Sequence, residues 1–142
     1  MFVHRNVANV VVHTDLNCLS AIQYAVEALL VKHIIICGHY GCGWRPGAAR
    51  HRTLGLIDNW LRHVQDVRAH HRAEIDALHT EAEQHARLCE LNVIEQVNNV
   101  KQTTVDSRRH GRVGQSVTVH GWVYDPRWTV KRLQGVSGDG ES

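Results

Sequence analysis

The sequence predicts an α/β domain in which helices flank a parallel β-sheet. Three observations carry that expectation: a β-branched run that closes on a glycine-rich loop at Ile34–Gly43, two long mid-chain segments with helical periodicity, and a period-two alternation near the carboxyl end. At 142 residues the chain suits one domain with a real core and is too short for two. The expected organisation is a single domain over residues 1–134 followed by a flexible tail over 135–142, "GVSGDGES".

Asn9 to Asp15, "NVVVHTD", opens with β-branched residues and closes on turn formers, which predicts a short buried strand. A helix is expected next, because Leu16, Leu19, Ile22, Ala25, Val26, Leu29 and Leu30 recur at three and four, with Asp15 placed to cap the first turn. Val31 to His39, "VKHIIICGH", reads as a second strand whose continuous apolar run suits a sheet covered on both faces. Strand, helix and strand would form one crossover unit. Two amphipathic helices are expected through Leu54, Ile57, Leu61 and Val64, and through Leu88, Leu91, Ile94 and Val97. In "QSVTVHGWVYD" the residues Val117, Val119, Gly121 and Val123 alternate on one face of a further strand. Pro126 would disturb pairing if that strand continued, and the sequence after it is unassigned.

Composition excludes several classes. Hydrophobic residues make up 43% and charged residues 21%, which argues against disorder and fibrous repeats. The formal charge is +2, and the lysines and arginines form no stripe with interleaved aromatics, so no nucleic-acid partner is expected. The four cysteines, Cys18, Cys37, Cys42 and Cys89, are irregularly spaced, which fits reduced thiols and a cytoplasmic location. No run approaches the roughly 20 apolar residues of a membrane span, and the opening residues carry His4 and Arg5 where a secretory signal has its apolar run. Neither export nor a membrane partner is expected.

Ligands in parallel sheets sit beyond the carboxyl ends of strands, which is where His39 and Cys42 stand. Imidazole and thiolate are common zinc ligands, and a mixed set with an open fourth position marks catalytic use. Gly38, Gly41 and Gly43 would supply positive φ and close approach around such a turn. Alone, an H-x-x-C pair is a weak signal. Cys18 and Cys89 lie on apolar helix faces and are expected to be buried small hydrophobes, and Cys37 is expected to point away from its neighbours into the core.

Taken together, "FVHRNVAN", "HTDLNCLSAIQYAV", "HIIICGHYGCG", "LGLIDNWL", "CELNVIEQV" and "VTVHGWVYD" closely resemble the β-class carbonic anhydrases, in order, from about Phe2 to Tyr124. The resemblance implies zinc-dependent reversible hydration of carbon dioxide to bicarbonate, with His39 and Cys42 as metal ligands. It implies a homodimer or homotetramer, because the family's carbon dioxide pocket is shared between subunits. Phe2, Val7 and Tyr24 match positions lining that pocket, and the Gly43 amide lies next to the metal turn. Arg5 and Tyr124 match residue types that, in one subgroup, help hold a regulatory bicarbonate; a guanidinium suits a planar oxyanion.

The family's further cysteine ligand, with an aspartate and arginine dyad, lies in a C-x-D-x-R motif on an earlier strand. The sequence contains no such motif, so the first strand is expected to be missing, no catalytic residue is assigned, and only half of the metal site is expected here. The rival expectations are a non-catalytic relative that keeps the fold and oligomer interface, and a structural His and Cys metal site. Asp106 and Arg108 look like the missing dyad, but Thr104 stands at the ligand position and threonine is a poor zinc ligand, so a solvated pair is expected. Trp44 replaces a glycine that usually follows the cysteine ligand in the family. His51, His63, His70, His71, His79 and His85 show no i, i+4 spacing and are expected to be solvated; His120 receives no chemical role.

Overall fold

The computed structural model describes residues 1–43, 54–103, 117–127 and 129–133. Trp44, His51, the Thr104–Arg108 segment and the tail over 135–142 lie outside the described residues.

A three-stranded sheet forms the centre, with strand order β1-β2-β3. β1 (His33–His39) owes its extended form to the β-branched run Ile34–Ile36 and pairs in parallel with β2 (Thr118–Asp125), Ile34 facing Val119 and His39 facing Tyr124. The expected α/β class with a parallel strand pair is therefore present. The predicted alternation of β2 is present too: Val117, Val119, Gly121 and Val123 are buried, with half-buried residues between them.

β3 (Thr129–Arg132) was not expected from the sequence, and it runs antiparallel to β2, which makes the sheet mixed. Pro126 ends the strand as anticipated, yet the chain reverses there, because Asp125 accepts the Arg127 amide at 2.9 Å and closes a tight turn.

Helices cover one side of the sheet. α1 (Leu16–Gln23) is capped by Asp15, which accepts the Asn17 amide, and passes into a π-helical turn over Tyr24–Ala28. α2 (Ile57–His70) begins later than the periodicity suggested, since Leu54 and Leu56 are exposed. The second predicted helix divides into α3 (Arg72–Asp76) and α4 (Glu81–Gln102), because Thr80 forms a capping box with Glu83 and starts a new helix.

α4 organises two apolar clusters. Val93, Val97 and Val100 pack with Val11, Cys18, Val119 and Val123, while Leu88 and Leu91 pack with Val10, Val64, Val67 and Ile75. At Gly38 a Cβ would stand 2.7 Å from Val93 Cγ2, so the sheet meets the helix through a position that only glycine fills without displacement.

Two expectations fail, the first because the backbone finds its partners elsewhere than in a sheet. Asn9–Asp15 forms no strand: Val7–Asn9 is a 3-10 turn with Ala8 at φ 65° and Asn9 at φ 45°. Val10 and Val11 are buried as expected, but amide side chains take the place of a strand ladder. Asn6 Oδ1 accepts from the Val10 amide at 2.9 Å, Gln96 Oε1 accepts from the Val11 amide at 2.8 Å, and Asn99 Nδ2 donates to the Val11 carbonyl at 3.1 Å. The first crossover unit is therefore absent; β1 and β2 are instead joined through the segment carrying α2, α3 and α4.

The second failure is β1 itself, which is not covered on both faces. His33, Ile35, Cys37 and His39 are exposed, alternating with the half-buried or buried Ile34, Ile36 and Gly38. Cys37 accordingly lies on the open face rather than in the core, on the same side of the strand as His39.

Candidate metal centre

His39 is the last residue of β1, and Cys42 follows after the turn residues Tyr40 and Gly41. Gly41 adopts φ +68° with open space around it, so glycine is there for its backbone conformation; Gly38 is there for close approach. Gly43 shows neither feature, being exposed and without a positive φ.

The exposed His39 ring places Nδ1 3.0 Å from the Tyr40 carbonyl oxygen. A carbonyl only accepts, so Nδ1 carries the proton and a neutral ring keeps its lone pair on Nε2. That is the orientation by which proteins prepare a histidine for a metal. Cys42 is half-buried. Among the described residues no three His, Cys, Asp or Glu side chains gather closely enough to hold a metal. The pair, an imidazole and a thiol, is of the donor kind that zinc takes.

The turn packs against α4. The Tyr40 amide donates to the Tyr124 carbonyl at 2.9 Å, and the Tyr40 hydroxyl donates to Glu90 Oε1 at 2.6 Å. Burial and the bond to Glu90 push the Tyr40 phenol well above its ordinary value. Cys89 is half-buried on α4, and burial, with Cys42 and Glu90 close by, pushes its thiol up to about 11. Cys18 is buried as expected, and burial together with Asp15 raises its thiol.

The expected pocket residues separate into two groups. Phe2 and Tyr24 come together with ring centroids 5.8 Å apart at 50°, an apolar wall between the amino-terminal segment and the first helical stretch. Val7 stands in the 3-10 turn with its carbonyl accepting from Trp60 Nε1 at 2.8 Å. All three side chains are about half exposed, at 48% for Phe2, 49% for Val7 and 54% for Tyr24. Arg5 is exposed in the amino-terminal segment, and Tyr124 is half-buried on β2 in register with His39.

Sequence reasoning missed the polar residues of α4. Glu90, Asn92 and Gln96 are buried, and their signal was available as polar side chains interrupting the apolar face of "CELNVIEQV". Asn92 Nδ2 donates to the Ala8 carbonyl at 2.9 Å and Gln96 Nε2 donates to Asn92 Oδ1 at 3.0 Å, which ties the irregular amino-terminal segment to the helix. His120, given no role, is paired with His33: their ring nitrogens stand 3.1 Å apart. His63, His71 and His85 are half-buried rather than fully solvated, with His63 edge-on to Trp60 at 5.9 Å.

The carbonic anhydrase family profile matches residues 1–129. Two tetrameric β-carbonic anhydrases of the ascomycete Sordaria macrospora are represented among similar structures by a chain that superposes with a TM-score of 0.82 at 37% identity, covering 94% of this chain and 68% of that one. The chain belongs to the β-carbonic anhydrase family. The Aspergillus fumigatus β-carbonic anhydrase CafA superposes with a TM-score of 0.80 at 37% identity, over 92% of this chain and 62% of that one. A carbonic anhydrase of Emericella nidulans is 46% identical over 125 residues, 88% of this chain and 54% of that protein. The chain thus spans about half the length of the curated relatives it matches.

Proposed function

We propose that this β-carbonic anhydrase chain serves the reversible hydration of carbon dioxide to bicarbonate, with zinc as its cofactor and His39 and Cys42 as two of the ligands. The observation that carries the proposal is the 3.0 Å contact of His39 Nδ1 with the Tyr40 carbonyl oxygen, which assigns the proton to Nδ1 and leaves the Nε2 lone pair available to a metal at the end of β1. Zinc, when bound, supplies the Lewis acidity that brings the pKa of water towards neutrality. Gly41, at φ +68°, makes the turn that separates Cys42 from His39. Phe2 and Tyr24 offer an apolar surface suited to an uncharged, non-hydrogen-bonding substrate such as carbon dioxide.

Half exposure of Phe2, Val7 and Tyr24 supports a pocket completed by a second subunit of a homodimer or homotetramer, in keeping with the tetrameric Sordaria proteins. Arg5 and Tyr124 are proposed to bind a regulatory bicarbonate, and the amide of Gly43 to border the metal turn. A cytoplasmic location is proposed from the unpatterned cysteines. Among the described residues no helix is long and apolar enough to cross a membrane.

A second reading has an observation in its favour. No third ligand side chain joins His39 and Cys42 among the described residues, which suits a non-catalytic relative that keeps the fold and oligomer interface. Metal analysis and a stopped-flow hydration assay separate the two. Stoichiometric zinc with rapid hydration supports the enzyme, zinc without turnover leaves a structural site, and neither supports the non-catalytic relative.

A further inference from the structure

Within the turn between His39 and Cys42, Gly41 sits at φ +68° and His39 Nδ1 meets the Tyr40 carbonyl oxygen at 3.0 Å. A further restraint comes from outside. The Tyr40 hydroxyl reaches Glu90 on α4, 50 residues away in the chain, at 2.6 Å. Glu90 is buried, and the same carboxylate accepts from Lys131 Nζ on β3 at 2.6 Å and from Arg87 Nη1 at 2.8 Å. Arg87 is itself anchored, its Nε donating to Glu74 Oε1 at 2.6 Å.

Two cations already answer the charge of Glu90, so the phenol is not needed to neutralise it. What the phenol bond adds is a tie from the rigid helix to the one residue that separates the strand from Gly41. Burial by itself would push the Glu90 carboxyl up, but the donors Lys131, Tyr40 and Arg87 more than offset it and hold it below its ordinary value. Glu90 therefore remains an acceptor at neutral pH, and short charge-assisted bonds are the strong ones.

We infer that Glu90 is a positioning residue for the metal turn, acting through Tyr40 to fix the backbone between His39 and Cys42. The inference deepens the zinc reading and rests on it for its functional meaning. It differs from a tie between α4 and β3, which Lys131 and Arg87 provide without Tyr40.

The test compares wild type with Glu90→Gln and with Tyr40→Phe, which removes one hydroxyl and leaves the ion pairs of Glu90 in place. Amide hydrogen exchange of the zinc-free protein is read at Tyr40, whose amide donates to Tyr124, and at buried amides of α4 and β2. Both variants are expected to accelerate Tyr40 exchange by about tenfold more than any change at α4 and β2, since the turn opens locally. Zinc affinity, read by competition with a chromophoric chelator, is expected to fall about tenfold, the low end of the effect of losing a direct outer-shell partner, because the tie reaches the ligands only through the backbone.

Uniform acceleration everywhere in Glu90→Gln, with Tyr40→Phe unchanged, overturns the inference. So does local acceleration at Tyr40 with unaltered zinc affinity. If wild type binds no zinc, the zinc reading fails by itself, and the exchange data alone still decide whether Glu90 positions the turn. Should Glu90→Gln fail to fold, Tyr40→Phe decides.

Discussion

One face of the β1–β2 pair is packed against α4 through Ile34, Ile36, Gly38, Val119 and Val123, while the face carrying Ile35, Cys37 and His39 lies open. Both faces are built from the same strand, and the sequence run "HIIICGH" gives no hint of the difference. The packed face is defined by what this chain provides, a helix with valines at 93, 97 and 100. The open face carries the candidate ligand His39, the exposed thiol Cys37 and an isoleucine 44% exposed. The packed side holds the core and the open side carries the candidate ligand, so substitutions on each side should behave differently.

The largest effect is expected at Gly38. Gly38→Ala forces a Cβ to within 2.7 Å of Val93 Cγ2, and overpacking of this kind costs about 3 kcal/mol at the upper end. Urea unfolding measures it, and adding Val93→Ala should recover part of the loss, giving the pair a favourable coupling. Independent, additive losses would show that the two do not meet.

Next in size is Glu90→Gln, expected to cost about 1–3 kcal/mol near neutral pH because it strips the charge from a buried acceptor. The Glu90 carboxyl is held below its ordinary value when folded. Its contribution is therefore present above the unfolded pKa of about 4.3 and is lost as pH falls through the lower folded value. Unfolding measured between neutral pH and pH 3 should show a shallower acid decline in the variant. An acid limb of identical slope contradicts the assignment.

Ile35→Thr, on the open face, should change stability by no more than about 0.5 kcal/mol if that face meets solvent. A loss above about 1.5 kcal/mol at high protein concentration that vanishes on dilution would mean that a second copy covers it. The smallest perturbation is chemical: limited iodoacetamide labelling should modify the exposed Cys37 before the buried Cys18, since burial raises both thiols and access separates them. Peptide mass analysis reads the order, and reversal would place Cys37 in the core.

Much of the architecture was legible because it is written in local periodicity. Leu61, Val64, Leu88, Leu91 and Val97 are buried where a 3.6-residue repeat puts them, and β2 keeps its period of two. The errors share a cause. A valine run such as Val10–Val12 signals burial, but whether it joins a ladder depends on which groups lie beside it, and here those are the side chains of Asn6, Gln96 and Asn99. β3 was hidden because its residues, Thr129–Arg132, are all exposed and show no apolar face.

At the candidate site, the spacing of His39 and Cys42 is a weak signal by itself, and their assignment as ligands comes from the family resemblance. The Tyr40–Glu90 tie spans 50 residues and leaves no mark in either local segment. Cys37 was misplaced because the sequence shows how apolar a strand is, not which of its faces the chain covers.

The central claim is that His39 and Cys42 grip one zinc ion. X-ray absorption at the zinc edge of the zinc-loaded protein tests it most directly. The account predicts a sulfur shell near 2.3 Å and a nitrogen shell near 2.0–2.1 Å, with the sulfur shell weakened in Cys42→Ala and the imidazole signature weakened in His39→Ala. A first shell that neither substitution alters contradicts it.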